Sequence, residues 1–421
     1  MEEESWIASV MALPTLIGNF VTPCIMDRMG RKTALYALTL PIIVGWLFIV
    51  IATNFQMLMI GRVLQGLSYG MLMPVRSVVI GEYTSPVNRG AFLATISLSL
   101  TFGIFFVHLI GSFFSWQWTA LICSFFSYLS LLMTLYCPES PSYLVMKRKY
   151  HECKKAFRYL RGDKEEDELE QMIKARLILE ETGTTKMNIK EFVRILKKRE
   201  FYKPVILVVH SYVLLKACGG PLLGAYAHEI LTVMMGKTTD VNFWMVFTDG
   251  LRFLFSVAGI YVVKRYRRRP LLLCVGSLCV ISLLCISLYI YIKTRGMLSY
   301  DATWITIVLI SFFSFTIAIG VAPLPNIIAG EVFPIAHRAP AAGISVIFDC
   351  ATIFLVLKTF SFLQGTIGLD GVYLLYAVIV AYLLSVMWVL LPETKGRTLQ
   401  QIEEEFRGKP IILKETEVLK S

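Results

Sequence analysis

Charge is what this 421-residue sequence is short of: 17% of it is Asp, Glu, Lys or Arg, where a soluble domain carries about 25%. Together with 56% hydrophobic residues, that shortage argues against a water-solvated fold and makes a bilayer the main solvent. Histidine is scarce, with five in all, and no histidine or cysteine set has metal-ligand spacing. There is no glycine-rich nucleotide loop and no nucleophile with a base at a plausible spacing. Catalysis, cofactor and metal are therefore not expected. The nine cysteines include Cys24, Cys123, Cys274, Cys279 and Cys285 inside apolar runs, where they read as small packing residues rather than a disulfide framework. A cleavable signal peptide is not expected either, because Met1 is followed by three glutamates and then an apolar run too long for a signal core.

What the sequence does have is long apolar runs. A helix crosses a bilayer with about 20 such residues, which selects 5–26, 34–53, 56–80, 91–113 and 117–137, then 204–231, 242–263, 270–292, 303–330, 340–363 and 371–391. The expectation is an all-α membrane protein with 11 transmembrane helices. Residues 1–137 would form an N-terminal bundle of five spans and 204–391 a C-terminal bundle of six. Between them lies a polar linker, 138–203, and after them a polar tail, 392–421. Within the linker, Tyr150 to Arg161 reads as an amphipathic helix with Cys153, Phe157 and Leu160 on one side, followed by a second helix over Glu166 to Glu180. The net charge of +11 is no argument for a nucleic-acid partner, since the basic residues sit in short loops after every second span. That pattern makes those loops, the linker and the tail cytoplasmic, with the amino terminus outside.

The two halves repeat each other in order. Asp27-Arg28-Met29-Gly30-Arg31-Lys32 matches Lys264-Arg265-Tyr266-Arg267-Arg268-Arg269; Glu82 stands seven residues before Arg89 as Glu331 does before Arg338; Pro138-Glu139-Ser140 is echoed by Pro392-Glu393-Thr394. Parallel repeats of this kind are a transporter signature. Two spans precede the basic loop in the second half but one in the first, as a truncated gene model or an alternative start would produce.

In this order the motifs resemble the sugar porter branch of the major facilitator superfamily, and within it the insect facilitated trehalose transporters. The resemblance implies two pseudo-symmetric helix bundles, with the first of twelve helices missing. It also implies facilitative transport of a sugar (trehalose- or hexose-like), or another small polar solute, by alternating access in the plasma membrane. Symporters of the family carry their proton-binding carboxylate on that first helix, so proton coupling is not expected. By resemblance, the cytoplasmic gate falls on Asp27, Arg28, Gly30, Arg31, Glu82, Arg89, Glu139, Arg268, Arg269, Glu331, Arg338 and Glu393. Such a gate holds the halves together in one state and releases them in the other. Exposed ion pairs contribute about 0–1 kcal/mol each, so several must act together. Where the family places a further basic gate residue this chain has Ser142.

Sugar pockets are built from neutral amides and aromatic faces, and here the resemblance meets its main departure. The family's pocket positions fall on Ser97, Lys216, Arg252, Asn326 and Asp349, while Tyr226 keeps the family's aromatic character. Ionisable residues inside a membrane cost about 2.5–3.5 kcal/mol each and mark functional paths, usually in pairs. Asp349 is expected to pair with Arg252 or Lys216, leaving about one net positive charge, which would favour an anionic solute. The same losses would follow in a non-transporting relative acting as sensor or scaffold, or in an inactive truncated product. Arg76 and His108 are further candidates, although a lone histidine in an apolar span reads more readily as a packing residue.

Overall fold

A computed structural model describes residues 2–84, 86–162, 169–170, 173, 198–236, 239–297, 303–333, 338–395, 397, 402 and 405–406, with the backbone alone described at 2, 77, 86–91, 93–94, 200 and 338–340. In a bilayer every backbone N–H and C=O must be satisfied within the protein, and the described residues meet that demand with helices. The first half comprises α1 (Glu2–Ser9), α2 (Ala12–Met29), α3 (Arg31–Val50), α4 (Phe55–Tyr83), α5 (Pro86–Phe113) and α6 (Trp116–Tyr136). Asn54 starts α4 by accepting a hydrogen bond from the Met57 N–H at 2.9 Å, the side-chain cap that orphan N–H groups at a helix start require.

The polar linker carries α7 (Pro141–Met146) and α8 (Tyr150–Arg161). Helix α8 has the predicted bounds. It buries Cys153, Ala156 and Phe157 against Leu144 and Val145 of α7 and against Leu169, with Leu160 half-buried. Burial pushes the Cys153 thiol up to about 11, which keeps it protonated and unreactive at neutral pH. The second predicted linker helix, Glu166 to Glu180, lies almost entirely outside the described residues.

The second half comprises α9 (Arg199–Ala217), α10 (Gly220–Ala225), α11 (Ala227–Met235), α12 (Val241–Arg265), α13 (Arg268–Thr294), α14 (Thr303–Thr316), α15 (Pro323–Val332) and α16 (Arg338–Leu390). Asp240 caps α12 through the Phe243 N–H at 3.2 Å. Among the described residues nine helices are long and apolar enough to cross a membrane, where the sequence predicts eleven spans. The difference has two local causes. The predicted span 204–231 is broken into α9, α10 and α11, with left-handed Gly219 (φ 87°) at the first break and Tyr226 at the second. The predicted spans 340–363 and 371–391 run together as α16, whose one non-helical residue is Gly368 (φ 75°). Between α14 and α15 the helix widens into a π turn, Ile317–Val321, ahead of Pro323 and Pro325, which donate no backbone hydrogen bond.

Helix α4 packs along α2 and α3, and α6 along α3. In the second half α16 packs along α9 and α13, and α12 along α14. The halves meet where α5 lies against α12 and where α1 and α2 pass α16. Large apolar side chains such as Trp118, Phe125, Leu288, Val378 and Trp388 are exposed, a surface that acyl chains rather than water would cover.

Backbones touch where α2 crosses α4: a Cβ on Gly18 would stand 2.3 Å from Leu67 O and 2.7 Å from Met71 N. Gly18→Ala should therefore cost about 1–3 kcal/mol through overpacking and lower the melting temperature of the detergent-solubilised protein. Gly103→Ala, with nothing within 4 Å, should not. Equal melting of the two variants would contradict the close crossing.

Candidate functional site

At one end of the first half, α3 begins immediately after Gly30. The first N–H groups of α3 have no partner within the helix. The Glu139 carboxylate, which follows α6, supplies one, accepting from Arg31 N at 2.8 Å and from Lys32 N at 3.2 and 3.3 Å. Gly30 makes the approach possible: its φ is 101°, and a Cβ there would lie 2.3 Å from Glu139 Oε2. The Arg31 guanidinium turns the other way and donates from Nε and Nη2 to Glu82 at the end of α4, at 2.9 and 2.8 Å. Its Nη1 donates to Met26 O, in the last turn of α2, at 3.0 Å. Asp27 lies 3.9 Å from Arg31. Ser140 donates its hydroxyl to Glu82, and Tyr143 donates to the Arg28 carbonyl at 3.0 Å.

The second half builds the same cluster. Glu393 accepts from Arg268 N at 3.0 Å and Arg269 N at 3.3 Å, the start of α13. Arg268 reaches Glu331 at the end of α15 at 3.3 Å and Val263 O in the last turn of α12 at 3.0 Å. Thr394 donates to Glu331 as Ser140 does to Glu82. Even the neighbouring basic residue is matched: Lys32 Nζ donates to Leu135 O and Arg269 Nη2 to Trp388 O. Burial alone would raise the Glu393 carboxyl, but the N–H groups of Lys395, Arg268 and Arg269 outweigh it and hold the group below its ordinary value.

The contacts of Arg31, Glu82, Glu139, Arg268, Glu331 and Glu393 among the described residues all stay within one half, each cluster tying together the helices of its own bundle. The side chains of Arg89 and Arg338 lie outside the described residues. Among the described residues, side-chain hydrogen bonds between the halves occur at the opposite end of the helices. His108 of α5 bonds Asp249 of α12 through Nδ1 at 2.5 Å. Lys358 of α16 donates to the Ser5 hydroxyl of α1 at 3.0 Å and sits 3.9 Å over the Trp6 ring, a cation–π contact.

Midway along the bundle lie the ionisable residues. Lys216 at the end of α9 and Asp349 of α16 pair at 3.4 Å, which selects Lys216 from the two expected partners. The Asp349 oxygen in that pair, Oδ1, is buried. Arg76 of α4 is close enough to act electrostatically on Asp349 and Tyr212, as Tyr69 is on Lys216. Arg252 of α12 is 7% exposed. Its Nε and Nη1 are buried without partners, and its electrostatic neighbours are Asp249 and Cys218. Ser97 is half-buried and Asn326 exposed. Tyr226 is turned away from this group: its ring lies 4.5 Å from Phe360 and its hydroxyl donates to Leu357 O at 3.1 Å.

The family model for sugar (and other) transporters matches residues 2–406. The chain belongs to that family. Among curated members it is 28% identical over 414 residues to the facilitated trehalose transporter Tret1 of Apis mellifera ligustica, covering 97% of this chain and 80% of that one. It is 29% identical over 424 residues to solute carrier family 2, facilitated glucose transporter member 8, of Mus musculus, covering 96% and 86%. Its fold is that of the major facilitator superfamily. The inward-open xylose transporter XylE from E. coli superposes with a TM-score of 0.77 at 17% identity, over 96% of this chain and 89% of that one.

Within this sugar transporter family member, the sequence reading passed over Asp249. The signal was available: a carboxylate inside an apolar span, three residues before Arg252, in a segment where such groups are rarely left alone. His108, read as a packing residue, is its partner. His108→Asn and Asp249→Asn should each lower the melting temperature, and the double variant should lose less than the sum of the two. Strict additivity would show that the two side chains do not interact.

The depressed Glu393 carboxyl gives a pH test. A group lowered in the folded state contributes stability that is complete above its ordinary value of 4.5 and is lost as pH falls through the folded value. The melting-temperature gap between wild type and Glu393→Gln should hold above pH 4.5 and close below it. A gap independent of pH would exclude the carboxylate as its cause.

Proposed function

We propose that this chain carries a sugar, of trehalose or hexose type, down its gradient across the plasma membrane by rocking one helix bundle, 1–137, against the other, 204–391, with the linker and tail on the cytoplasmic side. The observation that carries the reading is the repeated cluster: Arg31, Glu82 and Glu139 in one half, Arg268, Glu331 and Glu393 in the other. Each draws the ends of several helices into one unit, and rigid units are what a rocking mechanism moves. The names of the curated relatives support a sugar as cargo. In this conformation the polar bonds between halves, His108 to Asp249 and Lys358 to Ser5, lie at the end away from the clusters. Opening that end requires those bonds to break, and closing the other end requires the clusters to approach.

The experiment is uptake of labelled glucose and trehalose by the purified full chain in liposomes. Saturable, inhibitable uptake of a sugar is expected. Glu82→Gln removes one charged partner of a bidentate pair and should lower the maximal rate by about tenfold, the equivalent of 1.4 kcal/mol, with little change in half-saturation. A non-transporting sensor or scaffold would give no saturable flux of any sugar.

A further inference from the structure

We propose that the sugar is anionic, its acidic group held by Arg252 and its hydroxyls by the Tyr69 and Tyr212 phenols. This rests on reading the chain as a sugar transporter and specifies the cargo of that same path.

The argument begins with unsatisfied groups. A guanidinium offers five N–H donors and stays charged at any accessible pH. Burying it without acceptors is costly enough that such residues normally find a carboxylate. Arg252 is 7% exposed, yet its Nε and Nη1 have no partner. The carboxylates that could answer it are engaged elsewhere: Asp249, one turn earlier on α12, bonds His108 across the halves, and Asp349 pairs with Lys216. Arg76 repeats the pattern, with Nε buried and unpartnered. Arg76, Lys216 and Arg252 set against Asp249 and Asp349 leave one positive charge in excess when His108 is neutral. Sugar hydroxyls can accept a hydrogen bond from Arg252 but cannot neutralise it. A carboxylate or phosphate does both, in the bidentate geometry that the planar fork favours.

A simple inorganic anion would satisfy the arginines but would make no use of the phenols that stand near Asp349 and Lys216. Asp349 itself holds Lys216 through Oδ1 at 3.4 Å, so the open groups of the path are the donors of Arg252 and Arg76. A bound molecule must therefore bring a charged acceptor, and a sugar brings hydroxyls beside it. A hydroxylated chain ending in an acid does this, with Tyr212 near Asp349 and Arg76 and Tyr69 near Lys216 able to bond further hydroxyls. In the neutral-sugar pocket expected from the family, amides would do this work without net charge.

The test uses liposomes holding the full chain, with labelled gluconate, glucuronate, glucose 6-phosphate, glucose and trehalose supplied separately under an imposed potassium diffusion potential. Saturable uptake of at least one anionic sugar is expected, accelerated several-fold when the interior is positive, with neutral sugars competing at least tenfold more weakly. Uptake of the sugar acids alone assigns the charge to a carboxylate, and of glucose 6-phosphate alone to a phosphate. Arg252→Gln should reduce the ratio of anionic to neutral uptake at least tenfold, and Arg252→Lys should restore part of it. If Arg252→Gln does not yield monodisperse protein, the competition series on the wild type decides. Saturable uptake of glucose or trehalose with none of the acids or phosphate would overturn the proposal and leave sugar transport standing. No saturable flux of any of the five would overturn both.

Discussion

The arrangement depends on a carboxylate brought from elsewhere in the chain to the bare start of a helix. Each of α3 and α13 begins with N–H groups that have no intrahelical partner and carry the positive end of the helix dipole. Glu139 and Glu393 supply both the acceptor and the opposite charge. Because each follows the last helix of its own half, each also closes its bundle on itself, returning the chain to a helix that starts more than a hundred residues earlier. Arg31 and Arg268 then use the same helix start to fasten two further helix ends, one through a glutamate and one through a main-chain carbonyl.

Closing each bundle internally leaves the contacts between bundles few. Described side-chain hydrogen bonds across the halves are a histidine–aspartate pair and a lysine on a serine, both at one end, while Arg76 acts on Asp349 across the halves midway along the bundle. That division suits the rocking motion proposed above. Interactions inside a half are multiple and charge-assisted, whereas those between halves are isolated, the most buried being His108 with Asp249. Side-chain charges in the loops tie together the helices of one half, while the helix faces at α5–α12 and α1–α2–α16 form the surface on which the halves meet.

Much of this was legible before any coordinates, because a bilayer leaves few solutions. Spans, the charged linker and the repeat of Arg31, Glu82 and Glu139 by Arg268, Glu331 and Glu393 follow from hydropathy and charge alone. Two kinds of fact were not legible. Helix continuity depends on backbone torsions that composition barely constrains, so the split of 204–231 at Gly219 and the continuation of α16 through Gly368 escaped. Which half a charge serves is set by where its helix end lies. In this conformation the described partners of Arg31 and Arg268 lie on their own side of the repeat, which sequence spacing alone does not reveal. Asp249 was passed over although it stands inside an apolar span three residues before Arg252; its partner His108 lies 141 residues away in sequence.

That capture connects the contact between the halves to the middle of the bundle. With Asp249 bonded to His108 across the interface, Arg252 lacks a hydrogen bond to the acceptor nearest to it on its own helix. Asp249 then acts on Arg252 only electrostatically, and the guanidinium Nε and Nη1 stay unbonded. A bond made between the halves is thus what leaves these buried donors open.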